Sequence, residues 1–538
     1  MKQVYYNGVV YTGELPCQSA FIVEDGKFVS VGDDVTIKSF ISERDECIDL
    51  DGKFVCASFN DSHMHLLNFG QSLNMAQLAQ HTTSLEELIS YMKEFYSNNE
   101  FSNDHWLTGR GWNQDYFSDV DRMPTRYDLD EISTEVPIAA TRCCGHCMVV
   151  NSKVLELLGI DETTQSPEGG KIGMEDGKLD GRFYDNACAL INNHVPLPDK
   201  ETLKNYIRSA CKALNAFGVT SSQSDDYCVF REIPWQTVNE AFKELEESGE
   251  LTVRVYEQSN FTSLETLKEF VEAGNNTGVG SDLFKIGPLK MLGDGSLGAR
   301  TAYLSKPYED DPSTVGFPLF SQKEFDEMVG YANENGMQVA IHSIGDGVLD
   351  MILSAIEKAL KEHPRKDHRH GIIHCQITRE EQLQKIADLN LHVYAQAIFL
   401  DYDIHIIEDR VGKQRASTSY AWKTLMNKGV SVSNGTDCPV ELPDALACMQ
   451  CAVTRSTLKD HLGPYLPEEA FSVKEALDSY TIESAKGSFE ENVKGLIKEG
   501  YIADFVVLGK NPFEVDVNAI KDIPVCATYL GGHEVYSK

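Results

Sequence analysis

The sequence predicts an α/β fold of parallel βα units, a barrel or an open sheet, with a small β domain formed by its two ends. Three observations predict it. Helix-period and strand-like runs alternate through the middle of the 538-residue chain. Several of the short apolar runs end on histidine or aspartate. Both ends carry short strand-like runs broken by glycine turns.

At the N-terminus, Val4 to Tyr11 is apolar and aromatic, interrupted at Asn7-Gly8. Ala20 to Val23 and Lys27 to Val31 flank Glu24-Asp25-Gly26, a hairpin turn signal, and Asp51-Gly52 marks another turn before Phe54 and Val55. At the C-terminus, Ile502 to Leu508 is strand-like, and Val525 to Leu530 and Glu534 to Tyr536 flank Gly531-Gly532. Chain ends often lie close together, so residues 1–56 and 487–538 are expected to pair into one composite β domain. Residues 57–486 then form the main domain. Its rhythm breaks at about 70–210, where Ser166-Pro167-Glu168-Gly169-Gly170 and scattered aromatics indicate a large insertion. No tandem repeat or low-complexity tract is evident.

In the middle, Ser321 and Glu324 form a capping-box pattern. Phe325, Met328, Val329 and Ala332 follow at helical spacing, and Gly336 stops the helix. Gln338-Val339-Ala340-Ile341 then ends at His342. Val348 to Leu360 reads as an amphipathic helix, and Gly371-Ile372-Ile373 leads into His374. Thr378 with Glu381 marks the next helix start, followed by the strand signal Val393-Tyr394-Ala395-Gln396. Tyr420 to Met426 reads as helix, Gly429 stops it, and Val430 to Ser433 runs up to Asp437.

Composition narrows the function classes. Hydrophobic residues at 42% and charged residues at 24% fit a soluble globular protein. A formal charge of −35 repels nucleic acid and anionic lipid, which argues against both as partners. The first residues lack a secretory apolar core, and no apolar run reaches the length of a membrane span. The 14 cysteines are then expected as reduced thiols in the cytosol.

The sharpest chemical signal is Asp61-Ser62-His63-Met64-His65. On a strand, residues i and i+2 share a face, so His63 and His65 present two imidazoles together. His342, His374 and Asp437 each close an apolar run before a loop, where catalytic groups of a (β/α)8 barrel sit. Singly, each reads as readily as a hydrogen-bonded buried residue. Jointly they point to a metal. Lys290 closes Pro288-Leu289-Lys290. A lysine there is usually a snorkelling surface residue, but inside a barrel burial would lower its pKa and let the neutral amine take up CO2 as a carbamate.

The motifs Phe59 to His65, Gly109-Arg110-Gly111-Trp112, Gly145-His146, Gly218-Val219-Thr220, Leu289-Lys290, Asp294-Gly295-Ser296-Leu297, Ile341 to Asp346, Ile373-His374, Asn434 to Pro439 and Gly500 to Asp504 resemble the metal-dependent amidohydrolase superfamily. The resemblance is strongest to the branch containing N-substituted formamide deformylases. It implies a (β/α)8 TIM-like barrel with a terminal β-sandwich, and two divalent metals, zinc foremost. His63 and His65 would bind one, His342 and His374 the other, with carboxylated Lys290 bridging. Asp437 would touch the first metal and act as general base while activated water attacks a carbonyl. The implied reaction is hydrolysis of a non-peptide carbon–nitrogen bond in a small molecule. Trp112, His146, Asp294 and Gln396 are the candidate substrate contacts. Gly435-Thr436-Asp437 departs from the family's usual serine. Cys143-Cys144-Gly145-His146-Cys147 also departs from the pattern, and a separate zinc is the alternative role for those thiols.

An ester or lactone hydrolase would use the same hydroxide. A mononuclear deaminase would carry a glutamate just after a barrel histidine, whereas Ser343-Ile344-Gly345 follows His342. A non-catalytic binding protein would have lost a ligand, and all six positions are present. The substrate is not readable from sequence, because fold does not fix it. A homodimer is the base-rate expectation for assembly.

Overall fold

The structure is a computed structural model that describes residues 2–230 and 232–538. Two compact units are present, one of Met1–Asn68 with Ala210–Lys538 and one of Phe69–Ser209.

The first unit carries an eight-stranded parallel sheet: β1 Phe59–Met64, β2 Val219–Ser224, β3 Arg254–Asn260, β4 Phe284–Leu292, β5 Val339–Ser343, β6 Gly371–His374, β7 His392–Ala395 and β8 Val432–Asn434. Each strand is laddered to the next in chain order, the arrangement of a (β/α)8 barrel. No ladder joins β8 to β1. Two backbone bonds fasten that seam just beyond the strand ends, Asp437 N to His63 O at 2.8 Å and His65 N to Cys438 O at 2.7 Å.

Helices return the chain between strands as the periodicity requires. Gln322–Glu334 opens on the Ser321/Glu324 capping box, and Gly336 follows it with φ +80°. Asp346–Glu362 buries Val348, Ile352, Leu353 and Ile356 along one stripe. Two boundaries differ from the sequence reading. The helix expected from Thr378 and Glu381 is Glu380–Asp388, with Gln382 Oε1 accepting from the N-cap Arg379 N, because the Thr378 hydroxyl donates to Thr418 O instead. The helix expected from Tyr420 is Trp422–Asn427, because Tyr420 has φ +53° and cannot be helical.

The chain's two ends build a sandwich of two sheets. One is four-stranded, from Lys27–Gly32, Ala20–Glu24, Gln3–Tyr6 and Glu46–Asp49. The other is five-stranded, from Val9–Val10, Phe54–Ala57, Phe505–Leu508, Val525–Leu530 and His533–Ser537. Phe505–Leu508 runs antiparallel to Phe54–Ala57, so N- and C-terminal segments share one sheet. Asp25 and Gly26 both take positive φ in the hairpin turn, as a type I′ turn requires. The core is aromatic: Tyr5 stacks on Phe21 at 4.7 Å and Phe505 on Tyr529 at 4.3 Å. Arg254, the first residue of β3, donates to both carboxylate oxygens of Asp504 at 2.6 and 3.1 Å, pinning barrel to sandwich.

The second unit holds a six-stranded mixed sheet in the order Gly170–Glu175, Lys178–Asp185, Cys147–Val150, Ile138–Arg142, Leu107–Trp112 and Ala76–Gln77. Leu88, Ile89 and Met92 of the helix Leu85–Ser97 join its core. Among the described residues, no helix is long and apolar enough to cross a membrane.

Candidate metal centre

The strand ends bring five of the predicted residues together. His63 is buried on β1, and its Nδ1 lies 2.7 Å from Gln258 Oε1 on β3. The Gln258 amide nitrogen donates to Ser62 O, which fixes the amide orientation. His63 Nδ1 is therefore the donor, and Nε2 is left as a bare acceptor. His65 Nδ1 donates to the carbonyl of Asp225 at 3.0 Å, so its Nε2 turns to Asp437. Oδ1 of Asp437 lies 3.1 Å from His65 Nε2 and 3.4 Å from His63 Nε2. Lys290 is fully buried on β4, its Nζ 3.3 Å from His63 Nε2 and 3.8 Å from Asp225 Oδ2.

His374 ends β6, its ring centroid 5.6 Å from that of His63 and 4.6 Å from that of His342. The His342 Nε2 donates to Gly295 O at 3.0 Å, leaving Nδ1 as the free nitrogen. His374 and Asp437 both sit at positive φ, +71° and +57°. Such strain costs of the order of 1–3 kcal/mol per residue and concentrates at functional sites. Glycine makes the seam possible at Gly435, where a Cβ would lie 2.5 Å from His63 N and 2.8 Å from His63 O.

Two groups of ligand atoms result, each with all members within 4.8 Å of one another: His63, His374 and Asp437, and His65, Asp225 and Cys228. The residues fit a divalent ion. His374 Nδ1 and Asp225 Oδ1 are buried without a hydrogen-bond partner, and Asp437 Oδ1 faces imidazole nitrogens, an arrangement that a cation would satisfy. Imidazole and carboxylate donors in this number suit zinc or its first-row neighbours.

Burial dominates the electrostatics. Burial, then Lys290, pulls the His63 pKa well below its ordinary value, and burial, then His342, does the same for His374. Both imidazoles are thus neutral and able to ligate. Burial opposes a charged His65, but Asp437 and Asp225 outweigh it and push the ring up to about 9. Burial also opposes the Asp437 charge, yet the His65 contact and the surrounding rings hold that carboxyl below the usual range. Burial lowers Lys290 despite Asp225 and Asp437. Beside these groups, burial raises Asp226 to about 6 and Glu257 far above an ordinary carboxyl.

Four residues without a role in the sequence reading support this arrangement: Asp61, Asp225, Gln258 and Cys228. Asp61 accepts from Thr436 N, Thr436 Oγ1 and His63 N, tying β1 to the end of β8. The Gly-Thr-Asp departure is thereby explained, since a serine hydroxyl would make the same bond. Asp225-Asp226 directly follows the strand Val219–Ser224, whose residues after Val219 are all polar, so no apolar run marked the pair. Gln258 has no sequence signal either.

The candidate substrate contacts fall differently. The Gln396 amide, just past β7, is buried with neither polar atom bonded. Asp294 accepts from Tyr303 N, Ile344 N and Gly345 N and lies 3.2 Å from His342 Nε2, so it holds the loop that follows this histidine's strand. Trp112 and His146 belong to the second unit. Trp112 is fully buried in its core and donates its indole N–H to Ala140 O, and His146 is exposed, 3.4 Å from Asp185. Cys143 and Cys144 are exposed while Cys147 is buried, and among the described residues they form no metal-ligating group with His146.

Known proteins share this architecture. The chain is 32% identical to the YtcJ protein of Bacillus subtilis (strain 168), with all of both chains covered. It is 24% identical to the N-substituted formamide deformylase of Arthrobacter pascens, over 96% of this chain and 94% of that one. An uncharacterized metal-dependent hydrolase of Pyrococcus horikoshii OT3 superposes with TM-score 0.78 at 30% identity, covering 96% of this chain and 99% of its own. The profile of the Amidohydrolase family matches residues 46–536. With that span matched and the candidate ligand side chains gathered at the strand ends, the chain belongs to the amidohydrolase family.

Proposed function

We propose that the protein hydrolyses a non-peptide carbon–nitrogen bond, of amide type, in a small molecule. The observation that carries this reading is the convergence of His63, His65, Lys290, His374 and Asp437, with the neutral imidazoles of His63 and His374 gathered around the buried Asp437 carboxylate. His63, His65 and Asp437 would hold one divalent ion, and His342 and His374 a second, with Lys290 between them as its N6-carboxylate. Burial supports that modification, because only the neutral amine adds CO2. When bound, such ions, zinc foremost, supply water activation and carbonyl polarisation. Asp437, ionised at neutral pH, accepts the proton of the attacking water and passes it to the leaving nitrogen. Gln396 offers both halves of its amide to the substrate, and Asp294 positions His342. The net charge of −35 supports a small-molecule substrate rather than nucleic acid or membrane, and a cytosolic location and a homodimer are the proposed setting.

The test is metal content per chain, by plasma mass spectrometry, for wild type and Lys290→Ala purified without chelator, followed by an amide panel. About two ions falling in the variant, with amide turnover, is the expected result. One ion indifferent to Lys290 would replace the reading with a mononuclear enzyme.

A further inference from the structure

Beside the metal centre lies a cavity of about 470 Å³ that none of the proposed ligands fills. Its volume falls within the range of roughly 300–1,000 Å³ typical of small-molecule sites. It opens among the segments that follow β2, β3 and β4, the strand ends that carry Asp225 and Lys290.

Its inner wall is one side chain thick. Cys228 lines it and also offers its sulfur within 4.8 Å of the His65 and Asp225 ligand atoms. Asn260 lines it too, and its amide donates to Asp225 Oδ2 at 3.0 Å. Leu292 stands two residues beyond Lys290 on the same strand. The cavity therefore adjoins the ligand cluster through Cys228 and Asn260.

The remaining walls are rings. Tyr227, Trp235, Phe261 and Phe320 line the space. The first three pack edge-on or tilted against Phe270 at 4.9–5.9 Å, which fixes them in place. Their polar neighbours are already committed. The Tyr227 hydroxyl donates to Asn239 Oδ1 at 2.7 Å, and Glu324 accepts from Ser321 N and Oγ as a helix cap. Among the described lining residues there is no lysine, arginine or histidine, and the single charged group, Glu324, is negative. A carboxylate entering here would lose its hydration and find no cationic side chain among the described lining residues, only the carboxylate of Glu324.

We infer that this cavity is the specificity pocket of the proposed hydrolase, and that it takes an uncharged, ring-sized apolar substituent. The substrate class is thereby a neutral amide bearing an aromatic or similarly bulky apolar group, as opposed to an N-acyl amino acid. This inference rests on the hydrolase reading above for the position of the reacting bond.

Two measurements separate the two ideas. The first is binding of 2-phenylethanol, which offers no bond to hydrolyse, to the metal-loaded protein, by calorimetry and tryptophan fluorescence. Thr262→Trp fills the cavity from an exposed lining position, and Trp235→Phe identifies the reporting ring. The expected result is saturable binding weakened at least ten-fold by Thr262→Trp. The second is kcat/KM for N-(2-phenylethyl)acetamide against N-acetylphenylalanine, which differ by one carboxylate, and against N-methylacetamide. We expect at least a ten-fold preference for the neutral ring-bearing amide over the acid. Thr262→Trp should cut its advantage over N-methylacetamide by a similar factor. If amides are hydrolysed but the acid is preferred, or Thr262→Trp changes neither binding nor selectivity, the pocket assignment falls while the hydrolase stands. If 2-phenylethanol binds as expected but no amide is hydrolysed, the pocket is upheld as a ring-binding site, while the hydrolase reading and the substrate class drawn from it fall.

Discussion

Replacing Thr436 by valine removes one hydroxyl and leaves the shape almost unchanged. That hydroxyl donates to Asp61 Oδ2 at 2.5 Å, and both residues are at most 1% exposed. Burial pushes the Asp61 pKa up to about 7, so its charge does not set the scale; leaving a buried acceptor unsatisfied costs about 1–3 kcal/mol, and water does not make it good. Asp61 keeps its backbone donors, Thr436 N at 3.1 Å and His63 N at 3.2 Å, which places the expected loss near the middle of that range, about 2 kcal/mol. Through Asp61, Thr436 ties the amide of His63 to the residue before Asp437, so the loss should appear in ion retention as well as stability. Thr436→Ser keeps the hydroxyl and gives up one methyl, about 1 kcal/mol. The assay is urea denaturation of both variants, together with competition for bound metal against a chromophoric chelator. We expect Thr436→Val to lose about 2 kcal/mol and to release metal at roughly ten-fold lower chelator, since about 1.4 kcal/mol is a factor of ten. Thr436→Ser should stay close to wild type. Equal losses in the two variants would refute the reasoning, because packing rather than the hydroxyl would then decide.

Further outcomes follow from other residues. Asp437→Asn should lower turnover by about 10²–10⁴-fold, the scale of a lost general base, with an unchanged circular dichroism spectrum; near-normal hydrolysis would remove Asp437 from the mechanism. Gly435→Ala places a methyl against His63 backbone atoms at 2.5 and 2.8 Å that cannot rotate away, so it should destabilise by about 1–3 kcal/mol and reduce bound metal, read by calorimetry and mass spectrometry. Glu490 bonds Lys285 and Lys494 at 2.8 and 2.5 Å; burial opposes its charge, but the two ammonium groups hold its pKa down to about 2. Its folded pKa lies below the unfolded value, so its contribution of about 3 kcal/mol is full above about pH 4.5 and is lost as pH falls toward 2. Burial works against Lys494 at the same time, which reduces the net. Glu490→Gln should flatten that part of the urea-stability profile between pH 5 and 2, and an unchanged slope would exclude Glu490 as its source.

The fold and the metal face were legible because both rest on local pattern. Period-2 and period-3.6 hydrophobicity located the strands ending at His342 and His374, and Gly turns located the sandwich hairpins. His63 and His65 were legible because two imidazoles two residues apart on a strand need little context. Asp61, Gln258 and Asp225 were not, because their roles arise from partners 375, 195 and 160 residues away in the chain. A glutamine that orients an imidazole carries no local mark in its own segment. Helix starts at Arg379 and Trp422 were missed for a similar reason, since a distant carbonyl and a left-handed residue set them.

The pairing of Phe54–Ala57 with Phe505–Leu508 has a consequence for the chain as it leaves the ribosome. The two strands are separated by 447 intervening residues (58 through 504). At about 5–20 residues per second, the earlier strand waits roughly 20–90 s for its partner. Throughout that interval Phe-Val-Cys-Ala presents an apolar ribbon with one edge unpaired. Nascent chains stalled before residue 505 should therefore be the aggregation-prone species and the natural clients of a holding chaperone.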